Sequence, residues 1–239
     1  MINKPIYEPK AKAKEYGDLA VNIYRGCNHG CIYCYAPKIL RINREDFTNV
    51  TVREDIVESV RRQIEREKIS GKLIHLCFTC DPYPADIDTT PTREIIKIIK
   101  NSGNHVQILT KGGNRAVRDF DLLDSEDWFG VTITKWELEN HEHEPNAAHT
   151  AQRIMTLEHA EERGIKTWVS LEPVIDPETV YAVITANRHF DMLRIGKLNY
   201  QTSDINWAEF GKKCVELCER YGRNYYIKED LRKEMEKKP

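Results

Sequence analysis

No run of apolar residues in this 239-residue chain approaches the 18 or so that a membrane-spanning helix needs. No N-terminal stretch has the charged-then-apolar order of a signal peptide. Membrane insertion and secretion are therefore not expected. A dominant charge is missing as well. Lys and Arg number 36 and Asp and Glu 38, so the formal net charge is −2. There is no global electrostatic drive toward nucleic acid, which weakens a DNA or RNA substrate but leaves it open. No internal repeat or low-complexity linker divides the chain. Its length suits one large domain, and its 40% hydrophobic content supports a sizeable core. The seven cysteines are odd in number and clustered, which points to a reducing, cytoplasmic setting.

What the chain does have is a regular alternation. Residues 1–17 are polar and Lys-rich with Pro5 and Pro9, and read as an extended arm before a domain over 18–239. Strands are predicted at Leu19–Tyr24, Leu73–Thr79, His105–Thr110, Phe129–Thr134, Lys166–Leu171, Met192–Gly196 and Tyr225–Ile227. Helices are predicted at Arg53–Lys68, Pro91–Lys100, Arg115–Leu123, His149–Glu162, Pro177–Asn187, Trp207–Tyr221 and Lys228–Lys238. Ile56, Val57, Val60 and Ile64 show the spacing of one helical face. Short apolar strands in this order mean a parallel sheet covered by helices, with a barrel or partial barrel favoured over an open sheet.

The most informative stretch is Cys27-Asn28-His29-Gly30-Cys31-Ile32-Tyr33-Cys34-Tyr35. Three thiols within eight residues suit zinc or an iron–sulfur cluster. A structural zinc site wants four ligands, and His29 could be the fourth. A [4Fe–4S] cube held by three cysteines keeps one iron open, where a ligand can bind and react. Gly26 and Gly30 let the backbone wrap closely round a bulky group.

Cys-x3-Cys-x-aromatic-Cys, matched by Cys27, Cys31, Tyr33 and Cys34, resembles the signature of the radical SAM superfamily. The resemblance implies a [4Fe–4S] cluster on those three cysteines and S-adenosylmethionine (SAM) on the open iron. It implies reductive cleavage of SAM to a 5′-deoxyadenosyl radical, with the electron from a flavodoxin- or ferredoxin-like one-electron reductant. It also implies an α/β fold of (βα)6 partial TIM-type barrel.

In such barrels, active sites collect at the C-terminal ends of strands. Those ends carry Cys80 and Asp81, Lys111, Thr132 and Thr134, Glu172, and Arg194 with Lys197. The stretches 78–83, 108–111, 131–134 and 169–175 are similar to the spore photoproduct lyase-like branch of the superfamily. That resemblance implies that Cys80 or Asp81 meets the SAM amine, Lys111 the carboxylate, and Thr132 or Thr134 the ribose. Glu172 and Tyr33 complete the expected cofactor-binding set. Tyr33 and Tyr35 match tyrosines beside the cluster in the lyase, and Cys80 is the candidate hydrogen donor. Cys77 and Cys80 lie three apart in a predicted strand, so they are expected to face opposite sides. The substrate suggested is a nucleotide or nucleic-acid base, with a peptide also open. The alternative is a non-catalytic zinc- or Fe–S-binding module recognising nucleic acid.

Other clusters read more plainly. Cys214 and Cys218 share a helix face and are by default buried thiols. His141, His143 and His149 with Glu142 and Glu144 form a solvated loop or a metal site. Arg41, Arg44, Arg115 and Arg118 follow strand ends, where a phosphate could be met.

Overall fold

Alternating short apolar strands and one-sided helices can bury their apolar faces only by stacking in layers, and that is how this chain folds. The computed structural model describes residues 4–136 and 142–237. In chain order the elements are β1 (Ile6–Tyr7), a 3-10 turn (Ala11–Glu15), β2 (Leu19–Val21), β3 (Tyr24–Arg25), α1 (Ala36–Leu40), α2 (Arg44–Thr48), β4 (Thr51–Val52) and α3 (Ile56–Glu67). There follow β5 (Leu73–Leu76), α4 (Thr90–Asn101), β6 (His105–Thr110), a run of 3-10 turns (Gly113–Leu122), β7 (Trp128–Thr132), α5 (Thr150–Glu162) and β8 (Lys166–Leu171). The chain closes with α6 (Pro177–Thr185), β9 (Met192–Ile195), α7 (Trp207–Arg220), β10 (Tyr225–Ile227) and α8 (Glu229–Glu236).

The main sheet runs β1-β2-β5-β6-β7-β8-β9-β10. Every pair from β2 to β10 is parallel, and only β1 is antiparallel. The sheet does not close on itself, so the fold is the expected partial TIM-type barrel. Ile74, Leu76, Ile108, Phe129, Val131, Val169, Leu171, Leu193 and Ile195 are all buried in one continuous core. Each such side chain removed from water contributes roughly 1.5–3 kcal/mol, which makes this layer the main stabilising feature.

The strands predicted at Leu19–Tyr24 and Leu73–Thr79 prove shorter than expected, and one side chain explains both. β2 stops at Val21, and Asn22 turns its amide toward β5. Asn22 Oδ1 accepts the N–H groups of Phe78 (2.8 Å) and Thr79 (3.0 Å), replacing the ladder partner of those residues. β5 therefore ends at Leu76, and Cys77 takes a left-handed φ of 68°. Tyr24 and Arg25 leave the main sheet and pair with β4 in a separate ribbon.

Residues of the N-terminal segment enter the barrel. Ile6 exchanges backbone hydrogen bonds with the Gln63 side chain, both 2.9 Å. Tyr16 places its ring against His75, Phe78 and Trp168, with centroids 5.6–5.8 Å apart. Cys214 and Cys218 are buried on α7 as core residues.

Trp168 fills the interior because Gly130 on the neighbouring strand has no side chain. A Cβ there would lie 2.2 Å from the indole nitrogen. The indole cannot retreat freely, since it donates to Ile108 O at 3.0 Å. Gly130→Ala is expected to destabilise the protein by roughly 1–3 kcal/mol, as overpacking does. A denaturant melt of the metal-free protein checks this, and an unchanged midpoint would refute it.

Candidate active site

The cysteine loop lies at the C-terminal end of β2, where Gly26 allows the turn into it. Gly26 has φ 78°, and a Cβ there would meet Phe47 O at 2.5 Å, so only glycine fits. Cys27 N–H then donates to that same Phe47 O at 2.8 Å. Cys27, Cys31 and Cys34 are unpaired, half-buried thiols lining one cavity of about 390 Å³. Burial pushes the Cys31 thiol up to about 12 and raises Cys27 well above its ordinary value, so a metal must displace protons to bind here.

The loop is held from three sides. Arg44 of α2 donates to Cys31 O (2.9 Å) and Cys34 O (3.1 Å). Asn28 exchanges hydrogen bonds with the backbone of Ala85 at 2.6 and 3.0 Å. The segment 142–148 covers the third side. Ile32 N–H donates to His143 O at 3.0 Å, Asn146 N–H to His29 O at 3.0 Å, and Asn146 Nδ2 to Asn28 O at 2.8 Å.

One buried ion pair anchors this cover. Arg153 of α5 pairs with Glu144, and both are buried. Arg153 also donates to Thr132 O (2.8 Å) and Ala148 O (2.7 Å). Glu144 accepts the Tyr33 hydroxyl from the cysteine loop and the Thr134 hydroxyl (3.1 Å) from beyond β7. Burial raises the Glu144 pKa, and Arg153 opposes that rise.

Asp81 is a second hub. Its Oδ1 accepts Thr110 Oγ1 (2.6 Å) and Tyr83 N–H (2.8 Å), and its Oδ2 accepts Lys111 N–H (2.9 Å). His29 faces the same carboxylate at 3.5 Å. Burial opposes the Asp81 charge, but His29 and these donors outweigh it, and its pKa lies below the usual value. Burial lowers His29 to about 4, so its ring is neutral at neutral pH. Arg115 has only donors to offer, so His29 Nε2 accepts from it at 2.9 Å and the ring proton sits on Nδ1, toward Asp81. Both ring nitrogens are thus engaged away from the thiols, which argues against His29 as a fourth metal ligand.

The sequence-predicted residues divide as follows. Cys27, Cys31, Cys34, Tyr33, Tyr35, Cys80, Asp81, Lys111, Thr132 and Glu172 all line the one cavity. Lys111 Nζ lies 5.6 Å from the Tyr33 ring centroid and forms no ion pair among the described residues. Thr134 is not among the cavity-lining residues; its hydroxyl is directed at Glu144. Tyr35 donates to Phe78 O at 2.9 Å. Glu172 is ion-paired with the buried Lys228, and also accepts from Tyr16 (3.1 Å) and Asn199 (3.1 Å).

Cys77 and Cys80 both line the cavity and their thiols interact, contrary to the expected opposite facing. Alternation holds only within a strand, and the left-handed turn at Cys77 ends β5 before it. Thr79 Oγ1, between them, is buried with no hydrogen-bond partner among the described residues. Arg44 and Arg115 point inward to the loop, not outward to a phosphate. His141 lies outside the described residues. The described part of its loop does not gather a metal-ligand group.

Sequence reasoning missed Arg153, Lys228, Tyr16 and Asn146. For Arg153 a signal existed. It occupies the same helix face as Leu157 and Ala160, where a cation needs a buried partner. The other three are brought to the site by distant segments and carried no local pattern.

Residues 21–182 match the family model described as the Radical SAM superfamily. An uncharacterized protein of Methanocaldococcus jannaschii is 31% identical over 177 residues, which is 72% of this chain and 65% of that protein. An uncharacterized protein of Mycobacterium tuberculosis is 35% identical over 98 residues, 38% of this chain and 29% of that one. The chain therefore covers less than two thirds of the length of these relatives. Among solved structures, a mutant spore photoproduct lyase with bound AdoMet and dinucleoside spore photoproduct superposes with a TM-score of 0.69 at 14% identity, covering 92% of this chain and 78% of that one. SuiB of Streptococcus suis, bound to precursor peptide SuiA, gives 0.64 at 10% identity, covering 87% and 48%. At such identities these likenesses concern the fold.

Glu144→Ala would leave Arg153 buried without its partner. The expected cost is about 3–5 kcal/mol, measured by denaturant unfolding. Tyr33→Phe removes one hydrogen bond and is expected to cost only about 1 kcal/mol. Equal effects of the two changes would rule out the ion pair as the anchor.

Proposed function

Since the chain belongs to the radical SAM superfamily, we propose that it is an enzyme that cleaves SAM reductively and acts on its substrate through the radical formed. In this reading Cys27, Cys31 and Cys34 hold a [4Fe–4S] cluster. The observation that carries it is the set of three unpaired thiols on one glycine-shaped loop at the mouth of a strand-end cavity. The donor set fits. Three thiolates leave one iron open, and the cavity beside them offers a cation without a carboxylate partner and a hydroxyl without a hydrogen-bond partner among the described residues. A cluster of this kind, with SAM on its open iron, supplies a 5′-deoxyadenosyl radical once it receives an electron.

The chain's own residues then have distinct tasks. Lys111 meets the SAM carboxylate. Thr79, Cys80 and the neighbouring backbone face the amine, while Asp81 holds that turn in place. Thr132 lines the cavity and is assigned to the ribose, and Thr134 supports Glu144. Tyr33 and Tyr35 brace the loop through their hydroxyl bonds to Glu144 and Phe78 O. Cys80 offers a hydrogen atom to the cavity, with Cys77 beside it. Burial, followed by the neighbouring Cys80 thiol, keeps Cys77 above its ordinary pKa, and so in the S–H form.

The substrate proposed is a nucleotide or nucleic-acid base. Tyr16, Tyr35, Phe78 and His75 line the cavity as planar surfaces, and Lys10, which forms no ion pair among the described residues, adds a cation. Flat rings with a cation suit a base and its phosphate.

Anaerobic reconstitution with iron and sulfide, followed by SAM and dithionite, should yield 5′-deoxyadenosine. Cys34→Ala should abolish it. Lys111→Met should weaken SAM binding by about tenfold or more, as loss of a charge-assisted contact does. Zinc in place of iron and no SAM turnover would overturn the reading in favour of a binding module.

A further inference from the structure

Cys77 and Cys80 are free thiols that line the cavity and interact directly, yet neither belongs to the three-cysteine loop. The backbone builds this contact. Cys77 takes its left-handed φ of 68° at the end of β5, and the chain bends through residues 78–80. Asn22 Oδ1 holds the bend by accepting the N–H groups of Phe78 and Thr79, while Cys77 N–H donates to Val21 O at 2.8 Å. A non-glycine residue seldom adopts such a φ, and here it turns Cys77 to the side of Cys80. A disulfide joins Cα atoms about 4.4–6.8 Å apart, the span of a tight four-residue turn. The two thiols are unequal: Cys77 is 6% exposed, whereas Cys80 is half-buried. Cys214 and Cys218 offer the contrast. They are fully buried on α7 and do not line this cavity. One helical turn separates their Cβ atoms by about 5–6 Å, too far for a bridge.

We propose that Cys77 and Cys80 form a reversible dithiol–disulfide centre, in which the more accessible Cys80 reacts first with a low-molecular-weight disulfide and Cys77 resolves the product. The Cys80 sulfur attacks the oxidant's S–S bond, forms a mixed disulfide and releases one small thiol. The Cys77 sulfur then attacks the Cys80 sulfur, closes the intramolecular S–S bond and releases the second. Two protein S–H bonds are lost and two S–H bonds form on the released thiols. The protein thus loses two electrons and the oxidant gains them. An accessible thiol poised beside a resolving one is the arrangement of redox sensors, and in reducing surroundings the bond they make is transient. Burial holds Cys77 in its S–H form, so it does not compete for the first step. The closure stands on these two thiols alone. Its consequence rests on the function proposed above. Once the bond is closed neither sulfur carries a hydrogen atom, and Cys80 cannot act as donor until a dithiol reopens it. The three cysteines of the loop take no part.

The test equilibrates the reconstituted protein, without air, in mixtures of 2-mercaptoethanol and its disulfide. Samples are quenched in acid, alkylated and mapped by peptide mass. As the oxidised share rises, the peptide carrying Cys77 and Cys80 should become two hydrogen atoms lighter and escape alkylation. Dithiothreitol should reverse this, and Cys214 and Cys218 should be alkylated throughout. Cys77→Ala should leave mercaptoethanol bonded to Cys80, whereas Cys80→Ala should leave Cys77 unmodified. Absence of the Cys77–Cys80 bond in the wild type at every ratio would overturn the inference. So would equal oxidation of Cys214 and Cys218, or a mixed disulfide on Cys77 in Cys80→Ala as readily as on Cys80 in Cys77→Ala. If either variant fails to fold, the wild-type map still decides. Iron analysis of the same samples keeps the two readings apart: protein without iron counts against the proposed function, and the Cys77–Cys80 bond is read independently of it.

Discussion

Arg153 is a guanidinium on the buried face of a helix, and Glu144 is what allows it to stay there. Neither charge is tolerable alone in that environment, so each fixes the other's position. The consequences spread outward. Arg153 grips the carbonyl at the end of β7, and Glu144 grips the hydroxyl of Tyr33 in the cysteine loop. The segment that carries Glu144 lies along the loop and satisfies its backbone groups. The thiols therefore sit on a loop whose shape is set in part by an ion pair that includes no sulfur. A buried pair of this sort contributes little net stability against an apolar substitute. What it contributes is a single geometry.

Asp81 acts in the same way on the opposite flank. Four groups converge on one carboxylate, from the turn after β5, from the end of β6 and from the cysteine loop. Such a hub stays ionised because every lone pair is met, and the turn after β5 is consequently rigid. On the far strands of the sheet, Glu172 and Lys228 form a third polar junction with Tyr16 and Asn199. It ties together the N-terminal segment and the ends of β8 and β10. An open barrel has a seam, and this junction, with Tyr16 packed inside, helps to close the interior across it.

Much of the architecture was legible from pattern alone. The bounds of β6, β8 and β10 follow directly from their apolar runs. The helices α3, α4, α5 and α7 lie within a few residues of their predicted positions. Where expectation and structure part, a side chain had replaced the backbone as partner. Asn22 takes the N–H groups that would have extended β5, and no periodicity announces that. The opposite facing expected for Cys77 and Cys80 fails for the same reason. The short helices α1 and α2 escaped notice because five residues are too few to show a period.

The sequence by itself determined the family and the class of fold. Three thiols at fixed spacing form a local motif, and strand–helix alternation is a one-dimensional signal. Only the tertiary structure decided which polar residues face the cavity and which brace its walls. Thr132 and Thr134 are equivalent as letters, yet one borders the cavity and the other holds Glu144. Tyr16, Asn146 with Arg153, and Lys228 reach the site from three separate parts of the chain. Their roles arise from contacts across the barrel, and no local spacing encodes a contact between residues far apart in the chain.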